Sequence, residues 1–211
     1  MTRLATTQDS KLRRLELPFN GQRKDLTQLH PKILCDAVVK LENADDLLRL
    51  IKMTAEQIVD LMIKIRDTKD LRIIKLPLYS HNISQVPPGV WASVITRMEN
   101  VCPIPPVVTP LQLAAIFTSL ASQQGEDIKL KSLNFLGVYL TFVSLKLLVE
   151  GILRLQEIRF TWSTITADQA NAILSMVSEG CHQRLNIIRI NEPTIIGGTI
   201  SPTGAASPGW G

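Results

Sequence analysis

The stretch PKILCDAVVKLENA at 31–44 lines up with PGVWASVITRMENV at 88–101, 57 residues later, and a further 57 residues lead to LKLLVEGILRLQEI at 145–158. All three copies keep the same apolar positions and a basic residue, Lys40, Arg97 or Arg154, just before Leu41, Met98 or Leu155. A chain that repeats at a fixed period builds one supersecondary unit several times, and no single unit can bury its apolar face alone. The units must therefore stack and share a core. A 45% hydrophobic content supplies enough apolar side chains for it.

Within each period two kinds of pattern alternate. Residues 12–20 read LxxLxLxxN, which has the spacing of a short strand. The same phase recurs at Leu41/Ala44, Leu71/Ile74/Leu76, Met98/Val101, Leu130/Leu133/Phe135, Leu155/Ile158/Phe160 and Leu185/Ile188/Ile190, so seven strands are expected. Between them lie stretches with helical spacing. In one series Val90, Trp91, Val94 and Ile95, or Leu147, Leu148, Gly151 and Ile152, form the inward stripe, which makes Trp91 a core residue.

The other helical series opens three times with T-x-x-Q: Thr54 and Gln57, Thr109 and Gln112, Thr166 and Gln169. Each is a capping box, in which the Thr hydroxyl accepts from the third helical amide and the Gln side chain reaches back to the cap amide. Pro110 follows its cap Thr at the first helical position, where its missing N–H is no loss. The stripes behind the boxes are Ile58, Leu61, Met62 and Ile65; Leu113, Ile116, Phe117 and Leu120; and Ala170, Ile173, Leu174 and Val177.

The unit is strand, loop, helix in 25 to 32 residues, with the helix type alternating. Helices are about 10 Å wide and paired strands about 4.8 Å apart, so a stack of such units curves with its parallel sheet on the concave side. LxxLxLxxN followed by a helix, in two alternating forms, resembles the ribonuclease-inhibitor class of leucine-rich repeats over residues 12–191. That resemblance implies an α/β horseshoe of about seven units spanning 12–196, after a polar leader at 1–11 and before a Gly/Ser/Pro-rich tail at 197–211 expected to be disordered. It also implies a function, because the same class forms the sensing region of NOD-like receptors.

Departures from the motif qualify the expectation. Only Asn20 holds the motif's Asn position; the equivalents are Arg49, Tyr79, Pro106, Val138, Ser163 and Pro193. Pro103, Pro105 and Pro106 cannot donate to a ladder, so a distorted unit is expected near 103–108. No polar capping unit precedes Leu12 or follows Ile190, which leaves open both a complete chain and a fragment of a longer receptor.

Composition narrows the classes of function. The 23 basic and 19 acidic residues are interspersed and form no basic stripe with aromatics, so no nucleic-acid partner is expected. Three widely spaced cysteines, Cys35, Cys102 and Cys181, form no disulfide or zinc pattern, which fits a reducing compartment. The N-terminus MTRLATTQDSKLRRLEL has no apolar signal core, and the uncharged stretch at 101–125 is interrupted by four prolines. A cytoplasmic protein without a membrane span is the expectation. Cys181 and His182 are sequence neighbours whose side chains would diverge, and no phosphate loop, HExxH or GxSxG is present. No enzyme, cofactor or metal is expected.

Function then rests on strand residues that alternate with the buried ones and point out of the concave face. These are Arg14 and Glu16, Asn43 and Asp45, Ile73 and Lys75, Ser132 and Asn134, Glu157 and Arg159 with Trp162 beyond, and Ile187, Arg189 and Asn191. Arg72 and Lys131 flank the row. The expected partner-binding set is Arg72, Lys75, Lys131, Asn134, Glu157, Arg159, Trp162, Arg189 and Asn191, with Arg159, Trp162 and Arg189 foremost because Arg and Trp dominate binding hot spots. The partner would be a protein. Similar repeats also make up the Ran GTPase-activating proteins, an alternative that calls for an acidic tail this sequence lacks; a degenerate array without stable function is the third reading.

Overall fold

The computed structural model describes residues 24–41, 44–69, 71, 73, 76, 81–99, 101, 103–122, 129–179 and 184–198. The leader at 1–11, the candidate strand at 12–20, Asn43 and the tail from 199 fall outside them. The described residues form a mixed α/β structure of seven helices and seven strands, in small parallel sheets none of which closes on itself.

Helices begin where the local chemistry starts them. Pro31 and Pro88 sit at the first helical positions of α1 (Pro31–Val38) and α4 (Pro88–Arg97), and the His30 ring accepts from the Lys32 amide at 3.2 Å. All three expected capping boxes form, opening α3 (Ala55–Asp67), α5 (Pro110–Ser122) and α7 (Ala167–Glu179). In each the Gln Oε1 accepts from the Thr amide at 2.9 Å, and the Thr hydroxyl accepts from the Gln amide at 3.1 to 3.2 Å. Ser144 caps α6 (Leu145–Ile152), and a short α2 (Asp45–Leu50) lies between α1 and α3. The stripes of α3, α4 and α5 are buried as their spacing requires, Trp91 among them.

The boxes do more than start helices. The Nε2 of Gln57 donates to Leu26 O and Leu29 O, that of Gln112 to Ile83 O and Val86 O, and that of Gln169 to Leu140 O and Val143 O. Each pair of carbonyls belongs to a turn closed by an amide three residues on, Leu29 to Leu26, Val86 to Ile83 and Val143 to Leu140, and the turns recur at the 57-residue period. Every boxed Gln is buried, and the three strap α3, α5 and α7 to the turns that precede α1, α4 and α6. Buried polar groups persist only when bonded, so these amides tie neighbouring units together by hydrogen bonds that apolar contact cannot replace.

Successive helices pack on one another, α1 on α3, α3 on α4, α4 on α5, α5 on α6 and α6 on α7. Arg97 at the end of α4 donates to Ile65 O, Arg66 O and Thr68 O, filling the orphan carbonyls at the C-terminus of α3. Gly151 of α6 lies so near α5 that an added Cβ would stand 2.7 Å from the Phe117 ring. That ring stacks on Phe135, which stacks on Phe160, with centroids 5.8 Å apart in both pairs. Gly151→Ala is therefore expected to cost about 1–3 kcal/mol from overpacking, against a gain of about 1 kcal/mol in helix propensity. A rise in the urea midpoint would show that the ring moves aside freely.

Two parallel ladders run beside each other. The first is β3 (Ser132–Leu136), β4 (Glu157–Thr161) and β6 (Ile187–Asn191), in that order across the sheet, with Ile104 bridged to Phe135 at the free side of β3. The second is β5 (Thr164–Thr166) with β7 (Thr194–Ile196), and Tyr139 bridges to Thr164. A matching pair, β1 (Lys24–Asp25) with β2 (Ile51–Lys52), precedes the first box. The joint between the ladders is a single left-handed residue: Gly137 at φ 64°, Trp162 at φ 51° and Glu192 at φ 48°. The repeat motif does not announce this second ladder, because its alternation ends before the Asn position.

The structure differs from four expectations. Met98, Glu99 and Val101 belong to no strand. Asp45 opens helix α2 and is no strand residue, because the chain there turns helical after Ala44. Ile73 is buried in the core with Leu76 and does not take the outward place expected of it. In α7 the inner residues Ala170 and Ile173 are buried, but Leu174 and Val177 are about half exposed, at 45% and 49%, because no later helix among the described residues covers that side.

Candidate functional site

On β3, β4 and β6 the apolar positions face the helices and the alternate positions face away, as period-two geometry requires. Leu133, Phe135, Ile158 and Phe160 are fully buried. Register then lines up the outward residues: Ser132 beside Glu157 beside Ile187, and Asn134 beside Arg159 beside Arg189. The second of these rows carries a carboxamide and two guanidiniums across three strands.

Glu157 sits under them. Its Oε1 accepts from Arg159 Nε and lies 2.7 Å from Arg159 Nη2, and it lies 3.8 Å from Arg189 Nε, too far for a hydrogen bond. One carboxylate oxygen thus serves two cations. The Arg189 side chain remains 54% exposed, whereas Glu157 is largely covered at 21%. Asn134 Oδ1 is buried with no hydrogen-bond partner.

Trp162 stands at the end of β4 with 58% of its surface exposed. Its left-handed backbone is disfavoured by about 1–2 kcal/mol for a residue with a Cβ. Its amide continues the ladder to Asn191 O at 2.9 Å, and its indole Nε1 donates to Glu192 Oε2 at 2.6 Å. The ring is thereby oriented while more than half of the residue stays exposed. Glu192 was not among the expected residues, and no sequence signal marks it.

Of the nine expected binding residues, Asn134, Glu157, Arg159 and Arg189 come together, with Trp162 and Asn191 at the ends of the adjoining strands. Lys131 instead pairs with Glu99 of the preceding unit at 2.5 Å, so its charge is committed elsewhere. Arg72 and Lys75 lie outside the described residues, as do Cys102, Cys181 and His182. Ser163, at the motif's Asn position, is fully buried with its hydroxyl 3.4 Å from Phe135 O and from Thr161 O, so it serves the ladder and not the surface.

Cys35 is buried, and burial first, then the carboxylates of Asp60 and Asp36, push its thiol up to about 12, which leaves it protonated at neutral pH. His81 is buried with Nε2 2.8 Å from Leu48 O. Among the described residues no three His, Cys, Asp or Glu side chains are grouped to hold a metal ion, and no helix is long and apolar enough to cross a membrane. No protein-family model, curated protein or solved structure matches the chain.

Proposed function

We propose that the chain is a leucine-rich-repeat solenoid of the ribonuclease-inhibitor type that recognises a partner protein in the cytoplasm, without catalysis, through the sheet face of β3, β4 and β6. The observation that carries this reading is the register: three parallel strands, neighbours in one sheet, bring Asn134, Arg159 and Arg189 into one outward row, with an exposed, oriented Trp162 at the end of the middle strand. Exposed aromatic and guanidinium groups are the residue types in which binding hot spots are enriched. The two-form period, the three straps and the stacked helices support the solenoid. By the same resemblance the face would be the sensing region of a NOD-like receptor.

The test is affinity capture from cytosol with the wild-type chain and with an Arg159→Ala, Trp162→Ala, Arg189→Ala triple variant, both shown by circular dichroism to fold. A protein retained by the first and lost by the second is expected. Equal retention by both would move recognition off this face.

A further inference from the structure

We infer that the row accepts an acidic peptide segment of the partner, one carboxylate being held by Arg189 with the Trp162 ring as a wall beside it. The inference rests on the recognition face proposed above and names the chemistry of what binds there. Adjacent strands lie about 4.8 Å apart, so the backbone positions of Asn134, Arg159 and Arg189 lie in a line about 10 Å long, and both guanidiniums lean toward Glu157. Within it the charges are unevenly matched. Arg159 has both Nε and Nη2 on Glu157, while Arg189 has only a contact at 3.8 Å, its one ion pair among the described residues. A guanidinium presents its donors as a fork that fits a carboxylate bidentately, and the Arg189 fork is open to solvent.

The neighbours select among anions. Glu157 lies within the row, so the two guanidiniums carry a single net charge there, which one carboxylate balances and a doubly charged phosphate exceeds. Glu192, the next carboxylate, stands past the strand end and is engaged by the indole N–H. Lys131, which would extend a cationic stripe for a nucleic-acid backbone, is paired with Glu99. Because the indole N–H is already used, Trp162 offers a ring face and no donor, and Ile187 beside Glu157 is exposed as well. The segment that fits is acidic with apolar residues next to the carboxylate.

End-blocked hexaglutamate, hexaglutamine and hexalysine peptides, titrated by fluorescence anisotropy at low salt, test this. Hexaglutamate is expected to bind in preference to both others. Arg189→Ala should weaken it about tenfold, and Glu157→Gln, which frees both guanidiniums, should tighten it severalfold. Lys146→Ala removes the same unit of charge from an exposed site on α6 and should leave binding unchanged. Hexaglutamate binding that ignores Arg189→Ala, drops as much with Lys146→Ala, or yields to hexalysine overturns the inference. If it fails in one of these ways while a captured protein still falls away from the triple variant, the face recognises something other than an acidic segment. Equal capture by the triple variant would remove the face itself and the inference with it.

Discussion

Trp91→Ala is expected to lower the free energy of unfolding by about 3–5 kcal/mol, the loss typical of deleting a buried aromatic side chain and leaving a cavity. Trp91 is 1% exposed in α4, whose inward neighbours Val90, Val94 and Ile95 are buried with it, and α4 packs between α3 and α5. The indole is thus among the largest fully buried side chains of a helix packed on both sides, so its removal leaves a void inside the core. Its Nε1 is buried without a hydrogen-bond partner, so the side chain contributes volume and not a polar tie. Trp91→Phe, which removes that unsatisfied N–H and keeps most of the apolar bulk, should therefore lose far less than the alanine variant. Urea melts followed by circular dichroism separate the two. A Trp91→Ala curve that overlays the wild type would show that the helix phase read from the 57-residue period is wrong.

What the sequence made legible was what period and capping chemistry control. Thr109 and Gln112 announced the start of α5 because a capping box needs two residue types at one spacing. Arg159 and Arg189 could be placed outward because Ile158, Phe160, Ile188 and Ile190 hold the alternate positions of their strands. Where local pattern and tertiary setting diverge, the pattern misleads. Leu174 and Val177 carry the right spacing yet lie half exposed, because burial depends on what packs against a helix and not on the helix alone. At Ile73 the pattern misleads because Ile73 and Ile74 are both apolar, so alternation alone does not say which of them faces the core. The left-handed joint at Trp162 was hidden because glycine marks it only in the Gly137 copy. The link from Trp162 to Glu192 spans 30 residues between neighbouring units, which no local spacing encodes.

Gln112→Ala tests the part of the fold that the sequence half disclosed. As a capping residue alone, Gln112 would contribute about what Thr109 does, and Thr109→Ala should cost about 1 kcal/mol. The structure gives the carboxamide two further bonds, Nε2 to Ile83 O at 2.8 Å and to Val86 O at 2.7 Å, in a site with no exposure. Ile83 O keeps the Val86 amide, but Val86 O loses the Gln donor, and the Thr109 amide loses its acceptor. Each buried group left unpaired costs about 1–3 kcal/mol, so Gln112→Ala should destabilise by about 2–4 kcal/mol, clearly more than Thr109→Ala. Gln112→Glu sharpens the test through pH. Burial against two carbonyl oxygens disfavours the carboxylate, so the folded-state pKa of such a Glu must lie above the unfolded value of about 4.3. A native state that holds its proton longer than the unfolded chain loses stability as pH rises above that value, so the Glu variant should be nearest to wild type below about pH 4 and weaken steadily toward neutrality. Equal losses for Gln112→Ala and Thr109→Ala, with a Glu variant indifferent to pH, would mean that the strap between units contributes nothing and that apolar packing alone holds the stack together.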